Sequence, residues 1–130
     1  MKLEFSVHRK PTTVNSGWTL VEIMIVVSLI GLLVAICIPS FMKSRETSQL
    51  NSIINNLRIV ESAKDQWALQ NQKGTGDVPD WPGLSDYIKG GAVKQVTSET
   101  YTINPVGTNA FATATVKLGT YSAGDPIVAQ

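Results

Sequence analysis

Hydrophobic and polar positions divide the chain into a continuous apolar run, a helix-periodic stretch, and a region of short alternations broken by glycine and proline. From Trp18 to Ile38 the 21 residues contain one charged side chain, Glu22. As a helix rising about 1.5 Å per residue they reach about 32 Å, enough to cross a hydrocarbon core of about 30 Å. Gly31 lies in the middle of this run and Pro39 at its end. Proline lacks a backbone donor and its ring clashes with the preceding turn, so the helix is expected to kink or loosen at Pro39. In residues 40–72, Leu50, Ile53, Ile54, Leu57, Val60, Ala63, Lys64 and Trp67 step by threes and fours, and all but Lys64 are apolar or small. Arg58, Glu61, Asp65 and Gln72 fall largely on other faces; Glu61 with Lys64 is a favourable i, i+3 pair, and Glu61 with Asp65 an unfavourable i, i+4 one. Gly74 and Gly76 are the stop signal. Joined, the two stretches predict a helix from about Trp18 to Gln72, about 80 Å long.

Residues 73–130 predict smaller elements. Asp80 suits a helix cap, Pro82 an early helical position, and Leu84, Tyr87 and Ile88 give one apolar face. Gly90-Gly91 breaks the chain before three strand candidates, Ala92–Val96, Thr100–Asn104 and Ala110–Lys117. The last two alternate, with Tyr101 and Ile103 on one side of the first, and Phe111, Thr113 and Thr115 on one side of the second. Pro105–Asn109 reads as a hairpin turn, and Gly119–Gln130 as a loose tail or edge segment. So small a part cannot bury a core alone, and the stripe Leu50–Trp67 is the available partner surface. The expected fold class is α+β: a long N-terminal helix, membrane half plus amphipathic half, packed against a small antiparallel β-sheet. Trp67 and Trp81 are read as anchors between helix and sheet rather than as ligand-stacking residues.

The position of Glu22 changes the picture. A carboxylate inside lipid costs on the order of 2–3 kcal/mol, so an ordinary anchor keeps its charges outside the apolar run. Here Glu22 sits about one helical turn inside. Residues 1–17 carry Lys2, Arg9 and Lys10 against Glu4, with Pro11 opposing a helix. A secretory signal would end in a small-residue cleavage site, and Ile36-Cys37-Ile38-Pro39 has none. A lipoprotein signal would need a small residue before Cys37, where Ile36 stands.

The motif Gly17-Trp18-Thr19-Leu20-Val21-Glu22, with the basic leader before it and the apolar run after it, resembles the N-terminus of the type IV pilin and type II secretion pseudopilin family. The long half-apolar, half-amphipathic helix is a second point of resemblance. The resemblance implies a leader, residues 1–17, cut after Gly17 by a prepilin peptidase; methylation of the new N-terminus at Trp18; and a role for Glu22 in assembly, facing the amine of a neighbouring subunit. Phenylalanine usually follows the cut, where this chain has Trp18. The resemblance further implies a transmembrane and assembly helix over 18–39 with Gly31 and Pro39 as hinge points, an amphipathic half over 40–72, and a small globular part over 73–130. Its expected partners are copies of itself, related pilins and an inner-membrane assembly platform. The expected location is the inner membrane, single-pass with a cytoplasmic N-terminus, then a periplasmic or cell-surface filament. A signal-anchored adaptor or binding protein is the alternative, and an anchored enzyme a further one.

Composition narrows the chemistry. The formal net charge is +1, and without residues 1–17 the chain holds 8 basic and 9 acidic groups, net −1. Neither balance indicates nucleic acid, and Lys73, Lys89, Lys94 and Lys117 are scattered. Cys37 is the single cysteine and His8 the single histidine, the latter in the leader, which removes Ser/His and Cys/His catalysis and the usual zinc sets. No catalytic residue, metal or cofactor is expected. Some pseudopilins bind calcium in this half, but Asp77, Asp80, Asp86, Glu99 and Asp125 form no D-x-D-x-D-G loop and are read as surface carboxylates.

Overall fold

The computed structural model describes residues 1–4 and 19–129. These fall into two compact units, Met1–Cys37 and Ile38–Gln130. Helix α1, Leu20–Gln70, contributes to both. Thr19 caps it: the Glu22 N–H donates to the Thr19 carbonyl at 3.0 Å and to its Oγ1 at 3.3 Å. In the first unit every residue from Leu20 to Cys37 is exposed. The one polar side chain in the middle of that run, Ser28, donates its hydroxyl to the Met24 carbonyl at 2.6 Å, the arrangement a hydroxyl needs where water is absent. Among the described residues α1 is the one helix long and apolar enough to cross a membrane. The helix continues through Pro39 to Gln70, two residues short of the expected end.

In the second unit the later part of α1 buries Ile53, Leu57, Val60, Ala63, Lys64 and Ala68, with Leu50, Ile54 and Trp67 partly covered. This is the expected stripe, extended by Ala68. Helix α2, Trp81–Ser85, has the Asp80 cap and the early Pro82 that the sequence indicates: the Asp80 carboxylate accepts from the Gly83 N–H at 2.9 Å. Leu84 and Ile88 are buried and Tyr87 is partly so. The sheet consists of β1, Thr100–Thr102, β2, Phe111–Thr113, and β3, Pro126–Val128, antiparallel in the order β1-β2-β3. Its inner row is Tyr101–Ala112–Ile127, paired across the strands and packed into one core with Ile53, Leu57 and Val60. The α+β architecture of a long helix with a small antiparallel sheet laid on it is therefore present.

Several details differ from expectation. Ala92–Val96 forms no strand: the N–H groups of Val96 and Thr97 point to the Glu99 carboxylate, a local bond that competes with ladder formation. The third strand comes instead from the tail, where Ile127 is wholly buried. The alternation of β2 holds, but the face that meets the core is Ala110, Ala112 and Ala114, small residues that let the sheet lie close to the helix. The two strands around Pro105–Asn109 are shorter than expected, so the connection is longer. Its tip, with Gly107 at φ 89°, is held against the loop after α1 by Gly76 N–H to Val106 carbonyl at 3.0 Å and Val106 N–H to Asp77 carbonyl at 2.9 Å. A side chain at Gly107 would also meet the Thr75 methyl at 2.8 Å.

Candidate functional site

Two sets of residues carry the chemistry of this chain: the N-terminal turn of α1, and the polar groups that fix the sheet to its later turns. Gly17 and Trp18 lie outside the described residues. Glu22 occupies the third position of α1, acidic in its first turn, where the partial positive charge of the helix N-terminus favours a carboxylate. It is exposed, and its carboxylate has no partner among the described residues. Thr19 positions this turn as its N-cap. The signal for it is present in the sequence, because Thr19-Leu20-Val21-Glu22 has the spacing of a capping box, and the Thr19 half of that box is formed. Gly31 lies on an exposed face, where an added side chain would meet nothing within 4 Å. Cys37 is free and exposed.

The first polar link in the second unit is centred on Lys64, which is 1% exposed. Its ammonium donates to both Glu61 oxygens, at 3.2 and 3.1 Å, and to the Thr108 carbonyl at 2.6 Å. Glu61 in turn accepts a short hydrogen bond from the Ala110 N–H. One ion pair on the helix thus holds both the turn before β2 and the entry to β2. Periodicity marks Lys64 as the charged member of an apolar stripe, and the Glu61 spacing marks its partner, but the two backbone groups it clamps are more than 40 residues away.

The second link runs through Tyr101. Asn56 on α1 donates its amide to the Tyr101 hydroxyl at 2.8 Å and to the Lys94 carbonyl at 2.8 Å; that hydroxyl donates to Glu99 at 2.8 Å. The Glu99 carboxylate also accepts from Val96 N–H at 2.7 Å and Thr97 N–H at 2.6 Å. Glu99 is wholly buried, which corrects its reading as a surface carboxylate. Burial alone raises its pKa, but the two backbone donors and the tyrosine hydroxyl outweigh that and hold it below its ordinary 4.5. Burial pushes the Tyr101 hydroxyl well above its ordinary 10; the Asn56 bond opposes this and the Glu99 carboxylate adds to it.

Most of the other carboxylates considered for calcium serve the backbone where they stand. Asp77 accepts from Gly74 N–H at 2.9 Å, Asp80 caps α2, and Asp125 accepts from Ser122 N–H at 2.7 Å; Asp86 is exposed, and its main chain stands at the C-terminal cap of α2. Among the described residues no group of three or more His, Cys, Asp or Glu side chains is placed to hold a metal ion. Trp67 packs against the core and lies beside α2, its Nε1 3.2 Å from where a side chain on Gly83 would begin. Trp81 is not an anchor of that kind: at the first position of α2 it stands 39% exposed at the rim.

Known proteins align with this chain along much or little of its length. The type IV major pilin protein PilA of Myxococcus xanthus (strain DK1622) is 44% identical over 50 residues, 38% of this chain and 23% of that protein. The type II secretion system core protein G of Escherichia coli (strain K12) is 26% identical over 100 residues, 69% of each chain. The fimbrial protein EcpC of Eikenella corrodens is 30% identical over 110 residues, 80% of this chain and 64% of that one. The chain spans less than half the length of the first curated relatives it matches, 23% and 41% for the M. xanthus protein and the Klebsiella pneumoniae core protein G. No family model matches it. No solved structure matches it either.

Proposed function

The chain belongs to the type IV pilin and type II secretion pseudopilin family, and from that premise we propose that it is a structural subunit of a pilus-like or pseudopilus filament. The observation that carries the reading is the contrast within α1. Its first half exposes an unbroken apolar surface with one carboxylate in the opening turn, and its second half carries a folded unit. Such a helix is stable in lipid and equally in a bundle of its own kind, because both surroundings cover the apolar surface. The precursor is cut after Gly17, methylated at Trp18, held in the inner membrane with its N-terminus cytoplasmic, and passed by an assembly platform into the filament. Glu22 meets the methylated, still cationic N-terminal amine of a neighbouring subunit there; both charges are costly alone in a low dielectric and attract strongly when paired. Gly31 and Pro39 are the points at which the helix loosens as subunits pack. The chain works mechanically, not as an enzyme.

The test is the intact mass and N-terminal sequence of protein recovered from membranes, which should begin at Trp18 with a single methyl added. A chain still beginning at Met1 overturns the processing step. Gly17→Asp should accumulate uncut precursor. Glu22→Ala should be cut normally yet yield little pelletable filament, and filaments at the normal level would refute the pairing.

A further inference from the structure

We propose that a groove beside the first turns of α1 outside the apolar run is a seat for anionic phospholipid headgroups, holding the globular unit against the bilayer before assembly. The inference rests on the membrane-anchored reading above. The groove, about 440 Å³, lies wholly in the second unit, between α1 and the chain on either side of the sheet. Phe41, Met42 and Val116 supply its apolar part and are 69%, 58% and 47% exposed, large side chains that nothing in the fold covers. Arg45 and Lys117 stand at the same groove, exposed and without a hydrogen-bond or ion-pair partner among the described residues; Glu46, half-buried, is the one opposing charge.

Position along α1 identifies the occupant. The apolar run ends at Ile38, and Phe41 follows on the same continuous helix about 4.5 Å further along its axis. A helix that leaves the hydrocarbon there brings Phe41 and Met42 to the acyl–headgroup boundary and Arg45 one turn beyond, at the depth of the phosphates. Apolar side chains entering the boundary below cations that meet phosphate are the arrangement by which surface-seated segments bind bilayers. A second copy of the chain offers less charge complementarity, since its net charge without the leader is −1. An anionic leaflet presents a dense layer of phosphate, attracting each nearby Lys or Arg by about 1 kcal/mol.

The test uses the full chain reconstituted into vesicles of phosphatidylcholine alone or of phosphatidylcholine with phosphatidylglycerol. A nitroxide is attached at Thr115 through Thr115→Cys in a Cys37→Ser background. The label should be immobilised at headgroup depth in the anionic vesicles and mobile in the zwitterionic ones. Arg45→Gln and Lys117→Gln should each lower the ratio of seated to free population about fivefold, and Glu46→Gln should raise it. Identical spectra in the two lipids, or no response to either neutralisation, overturn the seat. Immobilisation in phosphatidylcholine that grows with protein density also overturns it and gives the groove to another copy. Resistance to alkaline extraction is read on the same vesicles: protein that washes off refutes the anchored reading itself, whereas inserted protein with an unresponsive label refutes only the seat.

Discussion

The two halves of α1 are one helix built for different surroundings. From Leu20 to Cys37 apolar side chains point in every direction and none is covered. From Ile53 to Ala68 all but Ile59 keep to one stripe, and that stripe is covered by the chain's own sheet and α2. The first half derives nothing from the fold and depends on lipid or on other helices. The second half supplies Ile53, Leu57, Val60 and Ala63 to a core completed by Leu84, Ile88, Tyr101, Leu118, Ile127 and the alanines of β2 and its flanks. Deleting apolar volume should therefore have opposite consequences in the two halves, on stability in one and on assembly in the other.

The sharpest break of that contrast is a matched pair of truncations, measured by thermal unfolding of the full chain in detergent. Leu57→Ala, at a wholly buried position, should cost about 3 kcal/mol through lost transfer energy and a cavity. Leu32→Ala, 61% exposed, should change unfolding of the second unit by less than about 0.5 kcal/mol. Equal losses would mean that the halves are not energetically separate.

Next in size is Lys64→Met, which keeps the side-chain length and removes the charge. It strands the Thr108 carbonyl and leaves a part-exposed Glu61 carboxylate without its cation, at a cost of about 2 kcal/mol. Adding Glu61→Gln should recover part of that loss in a double-mutant cycle; strict additivity would deny that the pair acts as a unit.

A smaller effect follows from Glu99. Its folded pKa lies below the unfolded value, so its contribution is complete above 4.5 and disappears as the pH falls through the folded value. A melting-temperature series run downward from neutrality should show an acid limb that Glu99→Gln flattens. An unchanged limb would move the titration elsewhere. Smallest is Gly83→Ala. Its new carbon would begin 2.6 Å from Asp80 Oδ1, displacing the cap of α2 at a cost of about 1 kcal/mol. Unfolding indistinguishable from the parent would show that α2 tolerates losing that cap.

The sequence makes one half of this contrast much easier to read than the other. An apolar run and a stripe at helical spacing are local patterns, so α1, its buried face and the Asp80 cap are all visible in it. The sheet depends on partners far along the chain, and its strands are three residues each, too short to show a period. Ala92–Val96 reads as a strand, yet Glu99 takes the N–H of Val96 and of Thr97 after it; Pro126–Val128 has two β-branched residues, too few to tell the edge strand that pairs with β2 from a loose tail. Glu99 is hard to read for a related reason: a glutamate's sequence neighbours do not say whether its charge is buried. Trp81 is hard to read because its size indicates burial while its place at the start of a five-residue helix leaves it at the rim. At the candidate site Glu22 stands out as a lone charge in an apolar run, and Thr19, three residues before it, is marked by the capping-box spacing alone.

The Lys64 clamp bears on what closes the second unit. This chain has a single cysteine, so no intramolecular disulfide joins the sheet to the helix, and an ion pair whose ammonium holds the Thr108 carbonyl and whose carboxylate holds the Ala110 N–H serves in its place. A closure of that kind is indifferent to reductants and needs no oxidising catalyst to form.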